Sequence, residues 1–181
     1  MQHYRLQRDV EIAVVDSGRK FGNGFCLPAG PLREPRSRLR KVDMVVQHGG
    51  SDDNYHFTLR FEPAVNLQTG EKRKLESFES TRVHAVAGIG HPARFFNQLR
   101  CQGLDVHEHP YPDHHQYSSG DIDFADDLPI LMTEKDAVKC KHLIAAVVPD
   151  NNQANVWSVP VSADIADQVR IDLIKLIKQR R

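Results

Sequence analysis

Val83-His-Ala-Val-Ala-Gly-Ile-Gly-His-Pro92 decides the fold class. A short apolar run stops at Gly88-Ile-Gly90, and Pro92 suits the first turn of a helix, where its missing N–H is no loss. Phe95, Phe96 and Leu99 then give that helix an apolar face, and Gly103 ends it. This is a strand, a turn and a helix, and the pattern repeats. Leu104–His109 is the next strand and leads into Tyr111-Pro-Asp-His-His-Gln-Tyr117. Pro129–Met132 is another, and Thr133 caps the helix that follows, through Leu143. Val156–Val159 is the last strand, and Ser162 or Asp164 caps a final helix with Ile165, Val169, Leu173 and Ile177 as its stripe. Strands alternating with helices predict an α/β fold, a mainly parallel sheet flanked by helices.

Upstream the pattern is looser. Val10–Val15 and Val42–Val46 read as strands, with a short helix from Pro31 or Leu32 to about Leu39 between them. Gly49–Asn54 is a polar break. Tyr55–Phe61 alternates weakly, and Ala64–Leu67 and Lys74–Phe78 flank Gln68-Thr-Gly70 as an antiparallel hairpin or two-stranded linker. The expected division is residues 1–50, a linker over 51–80, and a smaller α/β domain over 81–181. A strand as early as Val10–Val15 has nothing before it to cover it, so the chain is expected to begin within a domain.

The chain has 181 residues, enough for a real core, with 40% hydrophobic and 27% charged residues. Lys and Arg together number 24, as do Asp and Glu, so net charge points to no nucleic-acid partner. Basic residues gather over Arg33–Lys41 and at the C-terminus, as solvated faces or as contacts for anionic lipid or phosphate. Three well-separated cysteines, Cys26, Cys101 and Cys140, argue against a disulfide framework and for a reducing cytosol. No apolar run approaches a membrane span.

Strand ends of an open α/β sheet gather along one edge, where ligands bind. Asp113 and His114 place an acid and an imidazole there, and an imidazole readily moves protons near neutral pH. The same pair also suits a solvated Asx turn. Thr133-Glu-Lys-Asp136 puts three charges at a strand-to-helix junction, as an ordinary capped helix or with Lys135 or Asp136 facing a phosphorylated ligand. Arg33 and Glu34 lie between fixed prolines, and Arg suits bidentate phosphate contacts. His107 and His109 share a strand face that zinc could use. No cysteine lies near them, and no metal ligand is assigned.

Taken together, Gln2-His3, Arg8-Asp9, Pro28-Ala-Gly-Pro-Leu-Arg-Glu-Pro35, Ala87-Gly-Ile-Gly90, Pro112-Asp-His-His115 and Leu131-Met-Thr-Glu-Lys-Asp-Ala-Val-Lys139 resemble one family, tetraacyldisaccharide 4'-kinase, the lipid A 4'-kinase of Gram-negative bacteria. The likeness runs from Gln2 to about Pro160. It implies a P-loop-type kinase that uses ATP and Mg2+ to phosphorylate a tetraacyl disaccharide 1-phosphate. Its place would be peripheral, at the cytoplasmic face of the inner membrane. By that resemblance the His of Asp113-His114 is paired with an aspartate from the N-terminal half, and that pair activates the sugar hydroxyl, which makes His114 and its neighbour Asp113 the catalytic candidates. Gln2 and His3 work around metal and substrate, Arg33 and Glu34 serve the nucleotide and phosphate site, and Thr133, Glu134, Lys135 and Asp136 join the substrate or nucleotide site. The chain departs from the family's pattern in several respects, the partner aspartate for His114 and the apolar N-terminal membrane-binding helix among the parts not found. These 181 residues contain no Gly-x-x-x-x-Gly-Lys-Ser/Thr loop, nor the acids expected before Gln2. The expectation is therefore the C-terminal half of such a kinase, inactive without a partner N-terminal half. The alternative is a non-catalytic remnant, or a module that binds lipid or nucleotide.

Overall fold

A computed structural model describes residues 7–49, 55–147 and 155–180. Its strands are β1 (Ile12–Asp16), β2 (Met44–His48), β3 (His56–Phe61), β4 (Ala64–Asn66), β5 (Lys72–Arg73), β6 (Arg82–Ala87), β7 (Asp105–Pro110), β8 (Ile130–Thr133), β9 (Val156–Val159) and β10 (Val161–Ile165). Its α-helices are α1 (Pro92–Cys101), α2 (Glu134–Val147) and α3 (Asp167–Gln179). They form two compact units. The described residues through Arg60, with those from Ala163 onward, make one, and Phe61–Ser162 make the other. The three-part division expected from sequence is thus drawn differently. The hairpin joins the second unit and the last helix joins the first.

The second unit is built on a six-stranded sheet in the order β5-β4-β9-β8-β6-β7. Strands β7, β6, β8 and β9 run parallel, and β4 joins β9 antiparallel at one side. In β6 every residue after Arg82 is buried, as a strand covered on both faces requires. Phe95, Phe96 and Leu99 of α1 pack with Val83, Ala85 and Ala87 on one face, in a cluster shared with Leu131 and Trp157. Ala137, Cys140 and Ile144 of α2 pack with Val86, Met132 and Val156 on the other. Burial pushes the Cys140 thiol up to about 12, so it behaves as a core residue.

The first unit carries the sheet β1-β2-β3-β10, with β1, β2 and β3 parallel. Its core is small: Met44, Val46 and Val169 are buried, with Phe57, Ile165, Leu173 and Leu176 packed against them. Several cations of the two basic runs have partners. Arg38 pairs with Glu11 at 2.6 Å and Glu34 at 3.2 Å, Lys175 with Asp172 at 3.0 Å, and Arg180 with Asp43 at 2.7 Å.

Four elements differ from their expected form. The helix expected near Pro31–Leu39 is a 3-10 turn over Arg36–Lys41, because Pro35 has no N–H for an α-helical ladder and holds its own backbone extended. Lys74–Phe78 is no strand. Leu75–Phe78 is a 3-10 turn whose three-residue period stacks Leu75 and Phe78 inward. Ser118 or Ser119 suits the cap of a helix with Ile122 and Phe124 facing in, but only a single 3-10 turn forms there, Ser119–Asp121. Ser162 and Asp164 cap nothing. They lie in β10, beside β3, and the helix starts only at Asp167. Strand pairing overrode the local capping signal there.

Candidate functional site

The site is set by topology. From β6 the chain crosses through α1 on one face to β7, whereas β8 lies on the other side of β6 and its helix α2 packs on the opposite face. The carboxyl ends of β6 and β8 are therefore a switch point, the place in an open α/β sheet where a crevice forms. Three loops meet there: Gly88–Gly90 after β6, Tyr111–Tyr117 after β7, and Thr133–Asp136 after β8.

Asp136 ties them together. It is fully buried. One carboxylate oxygen accepts the Gly88 N–H at 2.8 Å and the Thr133 hydroxyl at 2.7 Å, while the Asp136 N–H donates to Thr133 Oγ1 at 3.2 Å. Thr133 is thus the cap expected from sequence, and its partner three residues on reaches across to β6. Lys139 Nζ lies 3.5 Å from the other oxygen. Gly88 is required at its position: a Cβ would stand 2.6 Å from the Tyr117 hydroxyl and 3.3 Å from the Pro112 carbonyl. The Tyr117 hydroxyl is buried and has no hydrogen-bond partner among the described residues. Burial first, and the Asp136 charge second, push its pKa upward, so it stays protonated.

The outer rim is ionic. Lys135 Nζ lies 2.6 Å from Asp113 Oδ1, and this bond is the main cause that holds the Asp113 carboxyl below its usual range. Asp113 also accepts the His114 N–H at 3.1 Å, and its Oδ2 is 3.7 Å from His114 Nε2. His114 has a backbone φ of 63°, a left-handed conformation in which histidine is enriched among non-glycine residues. Its side chain is 82% exposed. The next residue differs. The His115 ring stacks on Tyr111 at 4.5 Å, its Nε2 is 3.3 Å from Asp121, and its carbonyl lies 3.5 Å from Lys139 Nζ. One histidine faces outward beside a carboxylate and the other holds the loop.

Of the residues singled out from sequence, Asp113, His114, Thr133, Lys135 and Asp136 come together here, with Glu134 exposed on the first turn of α2. Arg33 and Glu34 belong to the first unit. They line a depression of about 270 Å³ with Asp16, Lys20 and Arg36. There Glu34 is paired with Arg38, and Arg33 is exposed with no ion pair among the described residues. Gln2 and His3 lie outside the described residues. Sequence reading missed Gly88 and Tyr117 as parts of the site. The glycine was visible as a turn, but the crowding that requires it is a contact between distant segments.

A mainly parallel sheet with helices on both faces defines an α/β protein, and the acid, lysine and exposed imidazole at its switch point make that edge the candidate site. Comparison with known proteins narrows this. The model of the tetraacyldisaccharide-1-P 4'-kinase family matches residues 1–178, and the chain belongs to that family. The tetraacyldisaccharide 4'-kinase of Nitrosococcus oceani is 45% identical over 180 residues, which are 99% of this chain and 51% of that protein. That of Pseudomonas putida F1 is 51% identical over 149 residues, 80% of this chain and 45% of the relative. The chain spans about half the length of the curated relatives it matches. Among solved structures, the apo form of LpxK from Aquifex aeolicus in complex with ATP superposes with a TM-score of 0.66 at 25% identity, covering 99% of this chain and 55% of that one.

Proposed function

We propose that this chain supplies the sugar-side half of a lipid A 4'-kinase. The reaction would move the γ-phosphoryl group of ATP to the 4'-hydroxyl of tetraacyldisaccharide 1-phosphate. The observation that carries the reading is the convergence of Asp113, His114 and Lys135 at the switch point in a chain of this family. His114 accepts the proton as the sugar oxygen bonds to phosphorus and the bond to ADP breaks. The Asp113 carboxylate lies beside that ring, its Oδ2 3.7 Å from His114 Nε2. Lys135, at the start of α2, is placed to meet phosphate charge. Asp136 acts through the backbone it holds and touches no ligand. Arg33 and Glu34 are proposed for the nucleotide and phosphate site, and Gln2 and His3 for the surroundings of metal and substrate.

ATP as donor rests on the family and on the ATP complex of the Aquifex aeolicus relative. Mg2+ is a family expectation that the described carboxylates of this edge do not fit. Asp136 is buried and engaged by two donors, and Asp113 is paired with Lys135 and leaves only Oδ2 open, short of the several oxygen ligands that Mg2+ takes. No step is routed through that ion. The proposed setting is the cytoplasmic surface of the inner membrane. No helix among the described residues is long and apolar enough to cross it. A second reading, left open by the sequence, is a module that binds lipid or nucleotide without catalysis.

The test replaces the matching half of the Pseudomonas aeruginosa relative, 49% identical over 150 residues, with this chain. The chimera is expected to phosphorylate tetraacyldisaccharide 1-phosphate with ATP, and the 181-residue chain alone is expected not to. A folded chimera without activity favours the binding module; activity of the isolated chain overturns the division of labour.

A further inference from the structure

Away from the switch point, the sheet brings three imidazoles together. His84 on β6 is the direct cross-strand partner of His107 on β7, and His109 lies two residues further along β7 on the same face. Each of the three offers a ring nitrogen within 4.8 Å of the other two. His84 Nδ1 and His109 Nε2 are 2.8 Å apart. Sequence alone showed only the pair on β7; the parallel register adds the third.

We propose that His84, His107 and His109 form a site for a divalent transition metal of the zinc class. Four observations support it. The donors are all imidazole, which suits zinc, copper and nickel and poorly suits magnesium or calcium. Zinc bonds of about 2.0–2.1 Å in a tetrahedron need nitrogens about 3.3 Å apart, a spacing within reach of small ring rotations here. His84 Nε2 faces Asp126, 3.0 and 3.2 Å from its two oxygens, which leaves Nδ1 turned to the other rings. A carboxylate behind a ligating histidine is how metal sites fix the ring's tautomer. Lastly, Phe124 stacks on both His84 and His109 with centroids 4.1 Å away, shielding one side. The loop that presents Phe124 and Asp126 is itself held, since Asp123 accepts the Ala125 N–H and Asp126 accepts the Leu128 N–H.

His84 is buried and His107 exposed, so an ion enters from the β7 edge and keeps one position for water. Its effect is mechanical. It clamps the edge strand β7 to β6 just before the loop that carries Asp113 and His114. The site stands independently of the kinase reading.

The test uses the tag-free 181-residue chain, stripped with a chelator and titrated with Zn2+ against a chromogenic chelator, and with Co2+ by absorption. One equivalent of zinc and four-coordinate cobalt bands are expected. His107→Ala is expected to weaken zinc binding at least about tenfold, and Asp126→Asn about 10- to 100-fold. Circular dichroism of the stripped variants checks folding, and His107→Gln replaces His107→Ala if that variant unfolds. Zinc uptake unchanged in the His107 variants, or uptake of less than one equivalent at micromolar zinc by the unsubstituted chain, overturns the site.

Discussion

Strands β1 and β6 come from similar apolar runs, and the structure treats them oppositely. In β6 Val83, His84, Ala85, Val86 and Ala87 are all buried, between strands on both sides and helices on both faces. In β1 no residue is buried, and Ile12 is 40% and Val14 63% exposed. Among the described residues β1 pairs with β2 alone. Strand character is local, but burial is a property of position in the sheet. The Gly88–Gly90 loop follows the strand that is covered on every side, whereas the loop that carries Asp113 and His114 follows the edge strand β7.

Hydrogen exchange tests that contrast most sharply. Amides of Val83–Ala87 are expected to exchange on the order of a thousandfold more slowly than those of Ile12–Asp16, because edge strands open locally without unfolding the core. Equal protection of the two strands would break the comparison.

Truncation should show the same asymmetry. Leu99 has no exposed surface and sits in the larger core cluster, so Leu99→Ala is expected to cost about 3 kcal/mol by denaturant unfolding. Val14→Ala should stay within about 0.5 kcal/mol. Similar losses at both positions would mean that β1 is covered in solution.

The smallest effect expected is a pH dependence in the first unit. Asp172 accepts bonds from the Tyr55 hydroxyl at 2.5 Å, from Gln168 at 2.6 Å and from Lys175 at 3.0 Å. These bonds, Tyr55 first, lower its pKa to about 2 from an ordinary 3.8. A depressed carboxylate adds stability above its unfolded pKa. That contribution should be complete above about pH 4 and vanish as pH falls toward 2. The stability difference between the protein and Asp172→Asn should accordingly shrink over that interval in urea unfolding. A difference independent of pH would remove Asp172 from the account.

How much of this was legible in the sequence follows the same divide. β6, α1, β8 and α2 were read to within a few residues, because long apolar runs were punctuated by Gly88, Pro92, Gly103 and Thr133. β10 was missed because Ser162 and Asp164 look like caps, and only pairing with β3 makes them strand. Asp113, His114 and Lys135 were visible as polar strand ends. The fixing of Gly88 by Asp136, the crowding by Tyr117 and the meeting of His84 with His107 were not. Each is a contact between segments twenty to fifty residues apart, and such contacts have no local signature.

The central claim is that His114, and not its neighbour, does the proton chemistry at this edge. His114→Ala and His115→Ala in the active chimera test it, with kcat and Tm measured for both. A lost general base typically lowers rate by about 100- to 10,000-fold. His114→Ala is expected to lose kcat in that range with Tm and the KM for ATP nearly unchanged, while His115→Ala, which removes the stack on Tyr111 and the contact with Asp121, lowers Tm and changes kcat modestly. A His114→Ala enzyme with near-normal kcat, or one whose loss of rate is matched by loss of folding, would contradict the account.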